Sequence, residues 1–179
     1  MQTDIEKLRF PIGRFQAPAG IEQVQLEKWI EEIAALPTEL KQATESLNPS
    51  QWSTHYRPHG WTLRQVVNHL ADSHMNSYIR FKLALTEEDP TIRPYYEDRW
   101  AETEDGKNSD PNISISLLES LHKRWVIFLR SLKPEDFERG FIHPEHGKRL
   151  VLKEVVGLYA WHGRHHLNHI LQTRKLNKW

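Results

Sequence analysis

Cysteine is absent from the 179 residues. Without it there can be no disulfide, no thiolate-ligated zinc and no cysteine nucleophile. A metal must therefore be held by histidine and carboxylate, and thiol chemistry must bring its thiol from outside. Charge of one sign is also lacking, since 24 Lys and Arg balance 24 Asp and Glu. Nucleic-acid binders carry a basic excess or stripe. Here only the tail Arg174, Lys175 and Lys178 is locally basic, and the preference of cations for helix C-termini accounts for it. No nucleic acid is expected as a partner. No apolar run approaches the roughly 18 residues of a membrane span. The start, Met1-Gln-Thr-Asp-Ile-Glu6, has neither the basic opening nor the apolar core of a signal peptide. A cytoplasmic protein without membrane contact is expected.

What is present is helical periodicity. The length suits one domain, 1–179, burying roughly 70% of its unfolded surface. Residues 1–19 contain Pro11, Gly13 and Pro18 and read as an irregular arm. Val24, Leu26, Trp29, Ile30 and Ile33 supply an apolar face, and Pro37, at home in a first turn, divides this region into helices at about 21–35 and 37–47. Asn48-Pro49 and Arg57-Pro58-His59-Gly60 punctuate a loop. Thr62-x-x-Gln65 is a capping box opening a helix to about Thr86. Residues 87–111, with three prolines, read as a long loop of the kind that lines a site or an interface. Ser114 or Ser116 starts the next helix, which Lys133-Pro134 stops. Phe141 to Val151 reads as a short hairpin around Pro144-Glu145-His146-Gly147. A last helix covers about 152–176. Four amphipathic helices with little strand signal predict an all-α four-helix bundle.

Histidine is abundant, eleven in all, with four of them in eight residues: His162, His165, His166 and His169. At about 100° per residue they share an arc of roughly 100°, and the i, i+4 pairs can bring two imidazoles to one ion. With His162 at 0°, the apolar stripe of this helix centres near about 30°, so His162 and His166 lie inside it and His165 and His169 at its edge. A catalytic metal site needs three protein ligands and an open position. The helix opened by Thr62 offers His69 and His74. Periodicity favours His74, which is mid-stripe, over His69 at the edge, yet a bundle helix meets two neighbours, so spacing alone leaves both open.

Gly60-Trp-Thr-Leu-Arg-Gln-Val-Val-Asn-His-Leu-Ala-Asp72 followed by Trp161-His-Gly-Arg-His-His166 resembles the DinB superfamily. Phe10-Pro-Ile-Gly-Arg-Phe15 and Asp72-Ser-His-Met-Asn-Ser-Tyr-Ile-Arg-Phe-Lys-Leu-Ala84 extend the likeness to its YfiT-like branch over most of the chain. The resemblance implies a four-helix bundle, a homodimer, and one divalent metal per chain held by three histidines. Matched to the family motif, those are His69, His162 and His166. Zinc is the first expectation, before nickel, manganese or iron. His165 and His169 then become supporting or surface residues, while His55, His59, His122, His143 and His146 read as structural or solvated. Asp72, one turn from His69, points away from the stripe.

Three neutral histidines leave a divalent ion its full charge. It can ionise bound water for hydrolysis or a bound thiol for attack on an electrophile. The ligand set serves both. The branch resemblance implies a thiol S-transferase that conjugates bacillithiol to small electrophiles. The alternatives are a metal-dependent hydrolase and a non-enzymatic metal- or ligand-binding bundle. No general acid or base is assigned. Arg80, Arg164 and the 87–111 segment are the places to look for groups that grip a thiol's carboxylates.

Overall fold

The computed structural model describes residues 2–145 and 147–179; His146, expected to be structural or solvated, lies outside the described residues. Four long helices build a bundle: α2 (Gln23–Thr44), α4 (Leu63–Thr86), α7 (Pro111–Arg130) and α8 (Leu152–Asn177). Helix α2 packs on α7 and α8, and α4 packs on the same two. Between them run α1 (Gln2–Arg9), α3 (Pro49–Trp52), α5 (Glu97–Trp100), α6 (Glu104–Asn108), a 3₁₀ turn over Pro134–Glu138, and strands β1 (Gly140–His143) and β2 (Lys148–Val151). The strands pair antiparallel, Gly140 opposite Val151, forming the expected hairpin before the last helix. Among the described residues no helix is long and apolar enough to cross a membrane.

The helix starts obey their capping chemistry. Thr62 Oγ1 accepts from the Gln65 amide, and Gln65 Oε1 accepts from the Thr62 amide. Asn48 and Gln51 form a second capping box with Pro49 in the first turn, so α3 stands where a loop was expected. Helix α7 begins earlier than Ser114 or Ser116. Asp110 caps it by accepting from the Asn112 amide, with Pro111 in the first turn.

Pro37 does not divide α2. A helix interior tolerates proline only if the carbonyl four residues back, which loses its donor, finds another. Ile33 O finds Nδ1 of His122, on α7, at 2.6 Å, and α2 continues to Thr44.

The arm is also more ordered than its prolines suggest, with α1 helical before Pro11 and Gly13. The stretch from Phe10 to Gly13 docks on α8: Trp161 Nε1 donates to Gly13 O at 3.2 Å, and the Phe10 ring lies 5.7 Å from that of His165. Segment 87–111 is strapped to α4. Gln65 Nε2 donates to Ala101 O, and Asn68 Nδ2 donates to the carbonyls of Asp105 and Gly106. Local sequence does not reveal these bonds, because their partners lie 36 to 38 residues apart.

The core is two apolar clusters. One gathers Ile30, Ile33, Phe81, Trp125, Val155 and Val156; the other gathers Leu36, Leu40, Leu63, Leu70, Leu118 and Ile170. On α4, α7 and α8 the residues between the two clusters include histidines: His74, His122, and His162, His165 and His166. Helix α8 approaches α2 at Gly163, where a Cβ would come within 2.5 Å of Leu36 Cδ2. That proximity seats the histidine layer against the broken turn of α2.

Candidate metal centre

His69 on α4 and His162 and His166 on α8 converge. One ring nitrogen from each lies within 4.8 Å of the others. Nε2 of His69 is 3.3 Å from Nε2 of His162. Trp61 covers the group from the segment before α4, 4.6 Å from the His69 ring and 6.3 Å from that of His166. Burial, with smaller contributions from neighbouring imidazoles, pushes all three below the usual histidine range. His69 falls to about 3, and His162 and His166 go well below normal. The rings are therefore neutral near pH 7, and each has one nitrogen free of a proton.

A divalent ion fits this arrangement. Two nitrogens bound at about 2.0–2.1 Å in a tetrahedral site stand about 3.3 Å apart, which matches the His69–His162 separation. The triad contains no carboxylate, so the ion's double charge would stay uncompensated.

The model of the DinB superfamily matches residues 32–170, which contain all three histidines. The chain belongs to the DinB superfamily. It is 49% identical over 172 residues to "Putative metal-dependent hydrolase YfiT" of Bacillus subtilis, covering 96% of this chain and 97% of that protein. A Bacillus mycoides protein, also named for metal-dependent hydrolysis, is 52% identical over 175 residues, covering 98% of this chain and all of its own. The solved structure of YfiT, described as a four-helix bundle of unusual topology, superimposes with a TM-score of 0.95 over 97% of this chain and 99% of its own. Mycothiol-dependent maleylpyruvate isomerase shares the fold, with a TM-score of 0.65 over 81% of this chain and 60% of its own, at 16% identity.

The remaining histidines of this DinB-superfamily chain divide sharply. His74 stands outside the triad, fully buried, with Nδ1 2.9 Å from His122 Nε2 and Nε2 3.2 Å from His162 Nδ1. His122, which the sequence offered only as structural or solvated, is buried at the end of this network. Its partner His74 lies on another helix, 48 residues away, and so leaves no local signal. His165 and His169 are buried, not superficial. His165 stacks on Trp161 with ring centres 4.6 Å apart, and His169 Nε2 lies 3.1 Å from Arg9 O. With His166 these two form a second convergent group, but His169 is engaged by Arg9 O on its other side. His143 is buried in β1, while His55 and His59 are exposed.

Two clefts meet at the triad. One, of about 560 Å³, is lined by Ser73, Arg80, Tyr95, Arg99 and Tyr159. The other, of about 380 Å³, is lined by Arg9, Arg57, Trp61, His69 and His166. Both include His162, Glu97 and Asp98. Segment 87–111 thus lines the site, as its length suggested, and Arg80 faces the first cleft. Arg164 does not. It pairs with Glu32 at 3.2 Å in a separate groove between α2 and α8, because its position on α8 turns it away from the histidine face.

Asp72 is half-buried, and burial, reinforced by the Asp105 carboxylate, raises it to about 6. Its folded pKa exceeds its unfolded value of 3.8, so the folded state binds more protons between those values. Stability then falls as pH rises through that window and stays lower above it. Asp72→Asn removes this penalty. Its urea midpoint is expected to exceed that of the parent at pH 7.5, with the gap narrowing towards pH 4. A gap independent of pH would refute the assignment.

Proposed function

We propose that this chain is a metal-dependent enzyme acting on small molecules, with His69, His162 and His166 holding one divalent ion, zinc first among the candidates. We further propose that its reaction is S-transfer, in which an external thiol attacks a small electrophile. The observation that carries this reading is the pair of clefts meeting at His162. A hydrolase needs one organic substrate beside water, whereas a conjugation must seat two.

A divalent ion held by three neutral imidazoles supplies Lewis acidity, which favours the ionised form of a thiol or of water near neutral pH. The chain's own residues do the rest. Arg9 and Arg57 line the smaller cleft and Arg80 and Arg99 the larger, so each can take an anionic group. Guanidinium binds carboxylate bidentately. Trp61, together with Phe10 and Trp161, which also line the smaller cleft, gives it an apolar wall beside the histidine rings. Bacillithiol, the thiol that the YfiT-like resemblance implies, carries carboxylates of this kind. The names of the relatives at 49% and 52% identity support a second reading, hydrolysis with water in place of the thiol.

The test incubates metal-loaded protein with bacillithiol and an electrophilic fluorogenic bimane, beside ester and amide substrates without thiol. Conjugation at least 100-fold above background that disappears in His162→Ala is the expected result. Hydrolysis without thiol would replace transfer by the second reading, and inactivity in both assays would overturn the two together.

A further inference from the structure

Two rows of hydrogen-bonded histidines run outward from the triad, and each ends on a backbone carbonyl. The first runs from His162 Nδ1 to His74 Nε2 at 3.2 Å, from His74 Nδ1 to His122 Nε2 at 2.9 Å, and from His122 Nδ1 to Ile33 O at 2.6 Å. The second runs from His166 Nδ1 to His169 Nδ1 at 3.3 Å, and from His169 Nε2 to Arg9 O at 3.1 Å. Both carbonyls lack the usual helical donor. Ile33 O faces the ring of Pro37, which has no N–H, and Arg9 O belongs to the last turn of α1.

A neutral imidazole has one donor nitrogen and one acceptor nitrogen. His74, His122 and His169 are all buried, where the uncharged ring is favoured. A carbonyl oxygen only accepts, so the ring nitrogen facing it carries the hydrogen, and each successive bond has its direction imposed. In the first row His122 Nδ1 donates to Ile33 O, His74 Nδ1 donates to His122 Nε2, and His162 Nδ1 donates to His74 Nε2. In the second, His169 Nε2 donates to Arg9 O, and His166 Nδ1 donates to His169 Nδ1.

We infer that these two rows fix the tautomers of His162 and His166, so that each presents an unprotonated Nε2 to the centre. Pro37, His122, His74 and His169 are then positioning residues. Pro37 acts by freeing the carbonyl that sets the first row's direction. The hydrogen-bond direction also assigns the 3.3 Å contact between the Nε2 atoms of His69 and His162. In the metal-free protein His69 is the donor there, and an ion takes the place of that hydrogen. The inference rests on the reading of His162 and His166 as ligands only for its consequence, tighter metal binding. The tautomers themselves are observable without metal.

Long-range ¹H–¹⁵N correlation spectra of the histidine-labelled, metal-free protein at pH 7.5 are expected to show His162 and His166 in the Nδ1–H form and His69 in the Nε2–H form. His122→Phe leaves His74 Nδ1 without an acceptor. It is expected to move His162 towards the Nε2–H form, leave His166 unchanged, and weaken zinc binding about 10- to 100-fold by chelator competition. His169→Phe is expected to do the converse. His122→Gln, whose side-chain oxygen can accept from His74, is expected to restore part of the affinity. An Nε2–H form of either histidine in the parent protein would overturn the inference, as would an unmoved His162 in a folded His122→Phe. If the tautomers are as stated but the parent binds no zinc, the ligand reading fails and the tautomer assignment stands.

Discussion

His162→Ala is expected to empty the centre. After loading with zinc and desalting, metal content should fall from about one equivalent per chain to near none, an affinity loss beyond the roughly 100-fold typical of removing an outer hydrogen-bond partner. The triad then has two nitrogens, too few for a three-histidine site, and the fully buried His74 loses the partner of its Nε2. His69→Ala should behave alike, because it removes the one ring nitrogen that α4 contributes to the triad. His74→Ala should weaken binding without abolishing it, since it leaves all three nitrogens of the triad and removes only the acceptor for His162 Nδ1. Inductively coupled plasma measurement of the three variants gives the ranking. A metal-free His74→Ala beside a metal-loaded His69→Ala would overturn the ligand assignment.

The second large effect is on stability. Trp125 is fully buried on α7, with its ring 5.5 Å from Phe81, 5.7 Å from Tyr159, and edge-on to His74 at 5.8 Å and His122 at 5.9 Å. It joins one apolar cluster to the histidine layer. Trp125→Ala should destabilise by about 3–5 kcal/mol, through lost transfer free energy and a cavity the bundle cannot close. For a chain of this length that lowers the melting temperature by about 6–20 °C. Its Nε1 has no hydrogen-bond partner among the described residues, so Trp125→Phe sacrifices packing alone and should recover more than half of the loss. Thermal unfolding measures both, and an alanine variant within about 1 kcal/mol of the parent would contradict this account of the core.

The parts of the fold legible in the sequence are those governed by neighbours in the chain. Thr62 and Gln65 start α4 because they satisfy each other's backbone amides three residues apart. The apolar spacing of α8 carries it through 152–176, and the turn before it closes the hairpin. The i, i+4 repeat of His162 and His166 comes from helix geometry. Local reading fails where a distant group answers a local demand. Pro37 reads as a helix boundary until His122, 89 residues away, takes the carbonyl it leaves unbonded. The 87–111 segment reads as a loop until Gln65 and Asn68 hold its carbonyls.

The same distinction applies to the site. Sequence by itself determined that a metal here must be held by histidine or carboxylate, since cysteine is absent, and that α8 presents two imidazoles on its buried face. On α4 its periodicity favoured His74 as the interior residue without deciding against His69, and only the motif resemblance preferred His69. Tertiary structure decided what each one touches. His69 faces the α8 pair at the junction of two clefts, while His74 lies between His162 and His122. The helical period sets a residue's direction about its own axis, but not the rotation and shift of one helix against another. Those depend on how side chains interlock across the whole core, including Gly163 against Leu36 and Trp125 against Phe81.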